Sequence, residues 1–557
     1  MRILIFHGYL LRGTGSNVYN AELARALAAA GHDVHVLCQD RNPAELEFVD
    51  AVGEWSDSGL TVEAIEHDHP DEWGSCSVYR PAIGEILPVY VADRYEGVTA
   101  KTFPELSDAE LDHYIETNVA AVREIDELVK PDCALANHMV MGPAILARAL
   151  DGRIPYAVKI HGSAMEYTVR PNPRFLPYAI EGIEPCATLL VGSRHIAERA
   201  WDTLAIDGLK KRTFLGPPGV DIEAFVPRDR LAARAGLEQL AQRIEAMPRR
   251  GYGPDAAAAT GALYRLARGE EHQLSYDAIA GETSTLQTAY DTAGIDAEAP
   301  AALRALAASG DSSVVLYVGK LIVSKGVDLL LAAWPLVRER YPNAQLAITG
   351  FGAYREGLEM LLMALSDGDL EMLRWIARGG RAFEGGGPDE LHYLAAFLDD
   401  LSDAERERYL AAAAGISESV HWFGRLEHDT LIDVIPCADV QVIPSTFPEA
   451  FGMVAAEAGA CGVPPICASH SGLAEVTEVL EHSLSGATAS LLSFRLGDRS
   501  VSQLAARING VLALDKIARA DLSVRLSNTS RKHFSWTGVA SSVATAALGR
   551  HDGLRRP

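Results

Sequence analysis

Two glutamates, Glu449 and Glu457, stand with seven residues between them in the segment PEAFGMVAAEAGACGVPP, residues 448–465. The first lies in a Pro-Glu-Ala-Phe-Gly loop, the second inside a run of small residues that reads as helix. An ionised carboxylate accepts several hydrogen bonds at once, so acids placed this way suit a ligand rich in hydroxyls. Gly452 lets the backbone approach such a ligand closely, and the amides of Phe451, Gly452, Met453 and Val454 are the unpaired donors of a helix start. Glu457, carried inward on the helix, can take both hydroxyls of a ribose. Glu449, ahead of the helix, can face a second sugar. The bland alternative is a capped helix with ordinary acids in its first turns. Loop glycine and both acids together make that the lesser reading.

Cations stand at the other place where chemistry is expected. In KLIVSKG, Lys320 and Lys325 follow the apolar run VVLYV and Gly319. Ligands of doubly wound sheets sit outside the carboxyl ends of the strands. Two cations there match a diphosphate, whose charge as a leaving group they would neutralise. A lysine at a helix start is poorly placed for the helix dipole, which favours a ligand role over two plain surface lysines. A third loop, GTGSNV, carries Gly13 and Gly15 after the first strand. An anion-binding turn and a simple tight turn fit it equally well. Val18 stands where the third glycine of a dinucleotide fingerprint would be, whereas Asp40 occupies the place of a ribose-binding acid.

The elements that must position these residues follow from periodicity. RILIF, a glycine loop, a helix over VYNAELARALAAAG and the strand HDVHVLCQD open the chain, and Gly31 ends the helix. Apolar runs in CALAN, PYAVKIHG, ATLLVGS and RTFLGPPG predict further buried parallel strands. The pattern restarts at SSVVLYVGK and continues through NAQLAITGFG, VHWFGRL, ADVQVIPS and VPPICAS. Two doubly wound α/β domains in tandem are therefore expected, with a linker near GPPGVDIEAFVP. Residues 1–225 form the first domain and 311–533 the second. Two stretches rich in Ala, Leu and Glu, 226–310 and 356–418, read as helical insertions. Residues 534–557 read as a C-terminal helix returning to the first domain.

A chain of 557 residues is too long for one core, and 48% hydrophobic with 22% charged residues is the balance of a folded globular protein. The net charge of −25 argues against binding nucleic acid or anionic lipid without a local basic patch. Seven cysteines lack zinc or redox spacing and read as reduced thiols of a cytoplasmic protein. MRILIFHGYLL is too short an apolar run for a signal peptide, and no run reaches the length that spans a membrane. Peripheral membrane contact stays open. The Asp399–Asp400 pair reads as a solvated helix face rather than a metal site.

The segment PSTFPEAFGMVAAEAGACGVPPICAS resembles the paired-glutamate signature of retaining glycosyltransferases with the GT-B fold, especially glycosyltransferase family 4. YVGKLIVSKG is similar to that family's phosphate site, GVDIEAFVP to its linker and KIHGS to its histidine site. SHSGLAEV matches the turn after the last signature strand, and HFSWTGVA the C-terminal helix. The resemblance covers both domains and neither insertion. It implies a GT-B architecture with a cleft between two Rossmann-like domains. Lys320 and Lys325 would hold the diphosphate of a nucleotide-sugar donor, Glu457 its ribose and Glu449 the hydroxyls of its sugar. Phe451, Gly452, Met453 and Val454 would add backbone contacts, beside Gly319. His161 would close over the sugar from the first domain, and Gly15 would lend an amide to the phosphate. Two departures stand out: Lys320 occupies the place of the usual arginine, and Ala450 that of a common glycine.

The implied reaction moves a sugar from a nucleoside diphosphate to an acceptor hydroxyl with retention and without metal or cofactor. Whether the leaving phosphate takes the acceptor's proton on the same face, or a carboxylate forms a covalent intermediate, stays open. The acceptor is a glycan, a lipid-linked sugar or a small molecule, and GSNVYN resembles members acting on small polar or phosphorylated acceptors. Rival readings are a nucleotide-sugar epimerase, a phosphorylase, a non-catalytic nucleotide-sugar sensor and a dinucleotide dehydrogenase.

Overall fold

The computed structural model describes residues 1–12, 15–56, 58–90, 99–269, 274–286 and 294–557. The chain divides into two compact units, Met1–Asp221 with His533–Pro557, and Ile222–Lys532. The division falls inside the GPPGVDIEAFVP segment, and the stretch 226–310 belongs to the second unit.

Among the described residues, eleven strands lie in the first unit: β1 (Arg2–Phe6), β2 (Asp33–Leu37), β3 (Ala51–Ser56), β4 (Gly59–Ala64), β5 (Ser75–Arg80), β6 (Ile86–Val89), β7 (Thr99–Thr102), β8 (Cys133–Asn137), β9 (Tyr156–Ile160), β10 (Thr188–Val191) and β11 (Thr213–Leu215). Nine of them make one sheet in the order β11-β10-β9-β8-β1-β2-β5-β3-β4. Its central strands are parallel and buried along their length, which is why they read as continuous apolar runs. The β3–β4 hairpin at one end is antiparallel, and β6 pairs with β7 apart from the main sheet. Neither pair was expected from the sequence, because short half-exposed strands carry no continuous apolar signal. The helix Gly15–Ala29 buries Leu23, Ala24 and Leu27 on the sheet and closes at Gly31, whose φ of 79° a side chain would resist. The helix Trp536–Ala547 packs into this same core through Trp536, Val539 and Val543, against Ile3, Ile5 and Tyr19.

The second unit holds β12 (Val314–Val318), β13 (Gln345–Thr349), β14 (Val420–Gly424), β15 (Val440–Ile443), β16 (Pro465–Ala468) and β17 (Ser493–Phe494), all parallel, in the order β14-β13-β12-β15-β16-β17. Residues 226–310 contain helices Arg230–Glu245, Pro254–Arg268, Tyr276–Leu286 and Ala299–Ala308. Residues 355–413 contain Arg355–Ser366, Leu370–Gly379, His392–Asp400 and Asp403–Ala413. Leu263, Ile279, Leu361 and Phe383 from these stretches join the apolar core formed around β12 and β13. Ser402 caps the last of these helices, with Glu405 reaching back to its amide. Asp399 pairs with Arg374 at the surface, as a solvated helix end does.

One contact between insertion and sheet bears on the site. Ile295 forms an antiparallel bridge with Gly424, the Asp296 amide donates to the Phe423 carbonyl at 3.1 Å, and the Arg425 amide donates to Gly294 at 2.9 Å. The insertion thus pairs with the end of edge strand β14. Arg355 clasps the same place. It lies 3.7 Å over the Trp422 ring, pairs with Asp296 at 3.3 Å and pairs with Glu359 at 2.8 Å. No helix among the described residues is long and apolar enough to cross a membrane.

Candidate active site

In the second unit, the loops leaving β12 and β15 meet at the carboxyl ends of the strands. β12 ends at Val318 and passes through Gly319 and Lys320 to a single turn, Val323–Lys325, that leads into the helix Val327–Arg338. Gly326 joins turn to helix at φ 66°, with so little room that a Cβ would stand 2.1 Å from the Pro444 carbonyl oxygen. The loop after β15 returns the contact: the amides of Thr446 and Phe447 both donate to the Ser324 carbonyl, at 2.9 and 3.3 Å. Lys325 is thereby aimed at Glu449, and its Nζ hydrogen-bonds Glu449 Oε1.

Glu449 is held from several sides. Ser445 Oγ donates to Oε1 at 2.6 Å, and the backbone amide of Glu449 donates to Ser471 Oγ at 2.8 Å. His470 joins Ser471 at 3.0 Å through Nδ1 and donates from Nε2 to the Ser445 carbonyl at 2.7 Å. Burial works against the charge of Glu449. The Lys325 charge and the hydrogen bonds from Lys325 and Ser445, with His470 nearby, outweigh it and hold the carboxyl below the usual carboxylate range. Glu449 is therefore ionised at neutral pH and only accepts. Ser471 makes this possible from a left-handed backbone, φ 52°, and Gly472 behind it donates its amide to the Glu449 carbonyl at 2.9 Å.

Phe451 and Gly452 follow, and the helix Met453–Ala460 begins there, with the amides of Ala455 and Ala456 donating back to the Gly452 carbonyl. The first-turn amides at Met453 and Val454 precede the helix's own ladder and point outward from its start. Glu457, one turn on, is only 2% exposed. Its Oε1 accepts from His428 Nε2 at 2.9 Å, whereas Oε2 is buried and has no partner among the described residues. A buried carboxylate oxygen without a donor is costly, and a ligand hydroxyl is the group that would satisfy it. Lys320 lies half-buried at the head of the first loop, its carbonyl accepting from the Tyr317 hydroxyl at 2.8 Å.

The insertion reaches this site too. Glu384 Oε2 accepts from the Val323 amide at 2.8 Å and Oε1 from Arg381 Nε at 2.8 Å, bracing the lysine turn. Asp328, in the first turn of the following helix, is fully enclosed. Burial, with Glu384 adding its charge, pushes its carboxyl up to about 7 against the hydrogen bonds of two backbone amides.

The first unit carries His161 and Gly15. His161 follows β9, donates through Nε2 to Asn137 Oδ1 at 2.8 Å and packs edge-on against Tyr19. Burial first, then His138, Lys159 and His7, hold its imidazole well below the usual histidine range, so Nδ1 is an acceptor at neutral pH. His138 lies 4.9 Å away, ring to ring, on a left-handed backbone of φ 68°, with neither ring nitrogen partnered among the described residues. Lys159, 2% exposed, donates to the Gly216 carbonyl at 2.5 Å, and burial lowers its ammonium to about 7. Gly15 opens the first helix, and its neighbour Gly13 lies outside the described residues. Asp40, the candidate ribose acid of a dinucleotide site, is spent otherwise: its two oxygens accept from the amides of Leu11 and Asn42.

The second unit therefore places Gly319, Lys320, Lys325, Glu449, Phe451 and Gly452 on loops, and Met453, Val454 and Glu457 on the helix that follows, at the carboxyl ends of one sheet. Residues that sequence reasoning missed are Ser445, His470, Ser471, His428, Glu384 and Asp328. SHSGLAEV held the signal for two of them. His428 and Glu384 lie far along the chain from their partners, and nothing local marks them. Among the described residues, no group of three or more His, Cys, Asp or Glu could hold a metal ion.

Residues 13–224 match the family model described as Glycosyltransferase Family 4, and residues 391–532 the one described as Glycosyl transferases group 1. The chain is 27% identical over 244 residues to glycogen synthase of Mycobacterium tuberculosis, 44% of each chain. It is 28% identical over 392 residues to D-inositol 3-phosphate glycosyltransferase of Geodermatophilus obscurus, covering 70% of this chain and 58% of the relative. The aligned parts thus span about half the length of these curated relatives. Among solved structures, HepE from Anabaena in complex with UDP covers 98% of both chains with a TM-score of 0.52 at 13% identity, a likeness of fold.

Proposed function

We propose, for a chain that is glycosyltransferase family 4-like and has the GT-B fold, that it transfers a sugar from a nucleoside-diphosphate sugar to an acceptor hydroxyl, with retention and without a metal ion. The observation that carries this reading is the Lys325–Glu449 pair beside the half-satisfied, buried Glu457, all at the carboxyl ends of one parallel sheet. Lys325 and Lys320 neutralise the diphosphate, and the first-turn amides at Met453 and Val454 add partial positive charge. Glu457 Oε2 accepts from a ribose hydroxyl, and Glu449 from hydroxyls of the sugar. His161, uncharged, offers Nδ1 to a sugar hydroxyl.

In the reaction, the bond from the anomeric carbon to the diphosphate oxygen breaks, its electron pair leaving on the diphosphate. The acceptor oxygen bonds the same carbon, and its proton passes to the departing phosphate oxygen on the same face. Lys325 stabilises that oxygen as charge develops on it. Glu449 Oε1 is engaged by Lys325 and Ser445, which supports a hydrogen-bonding role over attack on the sugar.

Thermal unfolding in the presence of UDP-, GDP- and ADP-sugars identifies the donor, because only a bound ligand raises the midpoint. Turnover of that donor with an acceptor, read by NMR, gives the anomeric configuration of the product. An inverted product overturns retention, loss of turnover in chelator overturns metal independence, and no midpoint shift with any of the three overturns the donor class.

A further inference from the structure

A cavity of about 610 Å³, a volume that suits a small molecule, opens in the second unit between the stretch 226–310 and strand β14. Its lining shares no residue with the site of Lys325 and Glu449. Pro254, Ala257, Ala301, Ala302, Val420 and Trp422 give it an apolar wall. Its charged lining is Asp296, Glu298, Glu359 and Arg355, and a smaller space that shares Asp296 and Arg355 adds Glu356. Four carboxylates thus stand around one guanidinium. His421 lines the same wall but lends no charge at neutral pH, since burial lowers its imidazole and its Nε2 donates to Gln345 Oε1 at 2.8 Å.

That guanidinium is already engaged. Arg355 lies between the rings of Trp422, at 3.7 Å, and Tyr252, at 4.4 Å, and its Nη2 pairs with Glu359 at 2.8 Å. Asp296 is left half-satisfied. Its Oδ1 accepts from the Tyr252 amide at 2.9 Å, whereas Oδ2, 3.3 Å from Arg355 Nη2, makes no hydrogen bond among the described residues. Glu356 Oε2 has no partner among them either, and the two side chains are only 5% and 4% exposed. Burial raises the carboxyls of Asp296, Glu356 and Glu359 above the usual range, and among the described residues Arg355 is the only cation opposing it at all three. Arg249, which donates to the Ala297 carbonyl at 3.2 Å, and Arg250 are exposed, and neither lines the cavity. Residues 287–293, outside the described residues and just before Gly294, contain no Lys, Arg or His and one further acid, Asp291. The chain supplies too little positive charge here, and a buried carboxylate oxygen without a donor is costly. Among the described residues no acidic group of three or more could hold a metal ion, so the cation that suits the place is organic.

We propose that this cavity binds a small organic cation, a protonated amine on an apolar body. The ammonium donates to Asp296 and Glu359, and the body lies along the alanines of the helix Ala299–Ala308. The site is independent of the sugar-transfer reading above.

Calorimetric titration of the full chain at low salt and about pH 8, with hexylamine, hexanol and ammonium chloride as probes, tests it. Hexylamine binds, the other two bind about tenfold or more weakly, and added salt weakens the amine. Asp296→Asn and Glu359→Gln each lower its affinity about tenfold. Ala302→Trp fills the cavity, leaves every carboxylate in place and abolishes binding. The unfolding midpoint of each variant shows whether it folds, and if the acid variants do not, Ala302→Trp and the comparison with hexanol decide alone. Absence of hexylamine binding at millimolar concentration, equal binding of hexanol, or wild-type affinity in Ala302→Trp or in both folded acid variants overturns the proposal.

Discussion

The groups around His161 in the first unit and around Glu449 in the second meet burial in opposite ways. In the first, His7, His161 and Lys159 face no carboxylate strong enough to offset burial, which brings His7 down to about 4 and Lys159 to about 7. In the second, Glu449 is only half-buried and keeps its charge because Lys325 sits against it, whereas Asp328, fully enclosed and facing Glu384, is pushed up to about 7. Desolvation alone discharges a side chain, whereas a partner preserves its charge. The first unit consequently offers its interior as neutral donors and acceptors, fit for hydroxyls. Lys325 stands in the second, where the transfer proposed above would set a departing diphosphate against it.

Breaking the contrast at its most enclosed point gives the largest effect. Lys159 binds its proton in the unfolded chain up to about pH 10.5 but in the folded chain only below about 7. Between those values the unfolded state holds more protons, so stability rises with pH. Urea unfolding at pH 7 and pH 10, read as wild type minus Lys159→Met, shows a gain on the order of 3 kcal/mol, because the opposing contribution of the buried cysteines, whose thiols burial pushes up, is common to both proteins. An unchanged slope in the variant refutes the neutral-lysine assignment. Next in size is Lys325→Ala, which costs about 1.5–3 kcal/mol of nucleotide affinity by calorimetry. It also leaves only Ser445 and His470 to oppose the burial of Glu449, so an NMR titration of that carboxyl shifts upward. Tight nucleotide binding by this variant refutes the cation's role. Glu457→Gln keeps the shape but removes the charge, and should weaken nucleotide binding by about 1–2 kcal/mol. Equal affinity would detach Glu457 from the ligand. Smallest is Ser471→Ala, which deprives the Glu449 amide of its acceptor and costs about 1 kcal/mol of stability; a neutral result means the loop finds another acceptor.

Much of this was readable from the chain itself. VVLYV and CALAN announce their strands because parallel strands buried on both faces need no polar residue. The hairpin Ala51–Ala64 escaped because most of its side chains meet solvent, so the alternation of Leu60, Val62 and Ala64 marks no buried face. In the site, Glu449, Glu457, Lys320 and Lys325 stood out through their place after strands or in a helix start. Their supports did not. His428 lies 29 residues before Glu457, and Glu384 lies 61 residues beyond Val323. Such pairings are products of the fold and leave no periodicity. Ser471 is a middle case, since a left-handed serine before a helix has no compositional sign, although its segment was singled out.

The bridge from Ile295 to Gly424 has a practical outcome for anyone shortening this protein. Excising residues 230–305 strips the end of β14 of that bridge and bares the Phe423 carbonyl and the Arg425 amide, which another extended peptide can adopt. Such a trimmed chain should emerge from purification as self-adhering multimers rather than as a leaner enzyme.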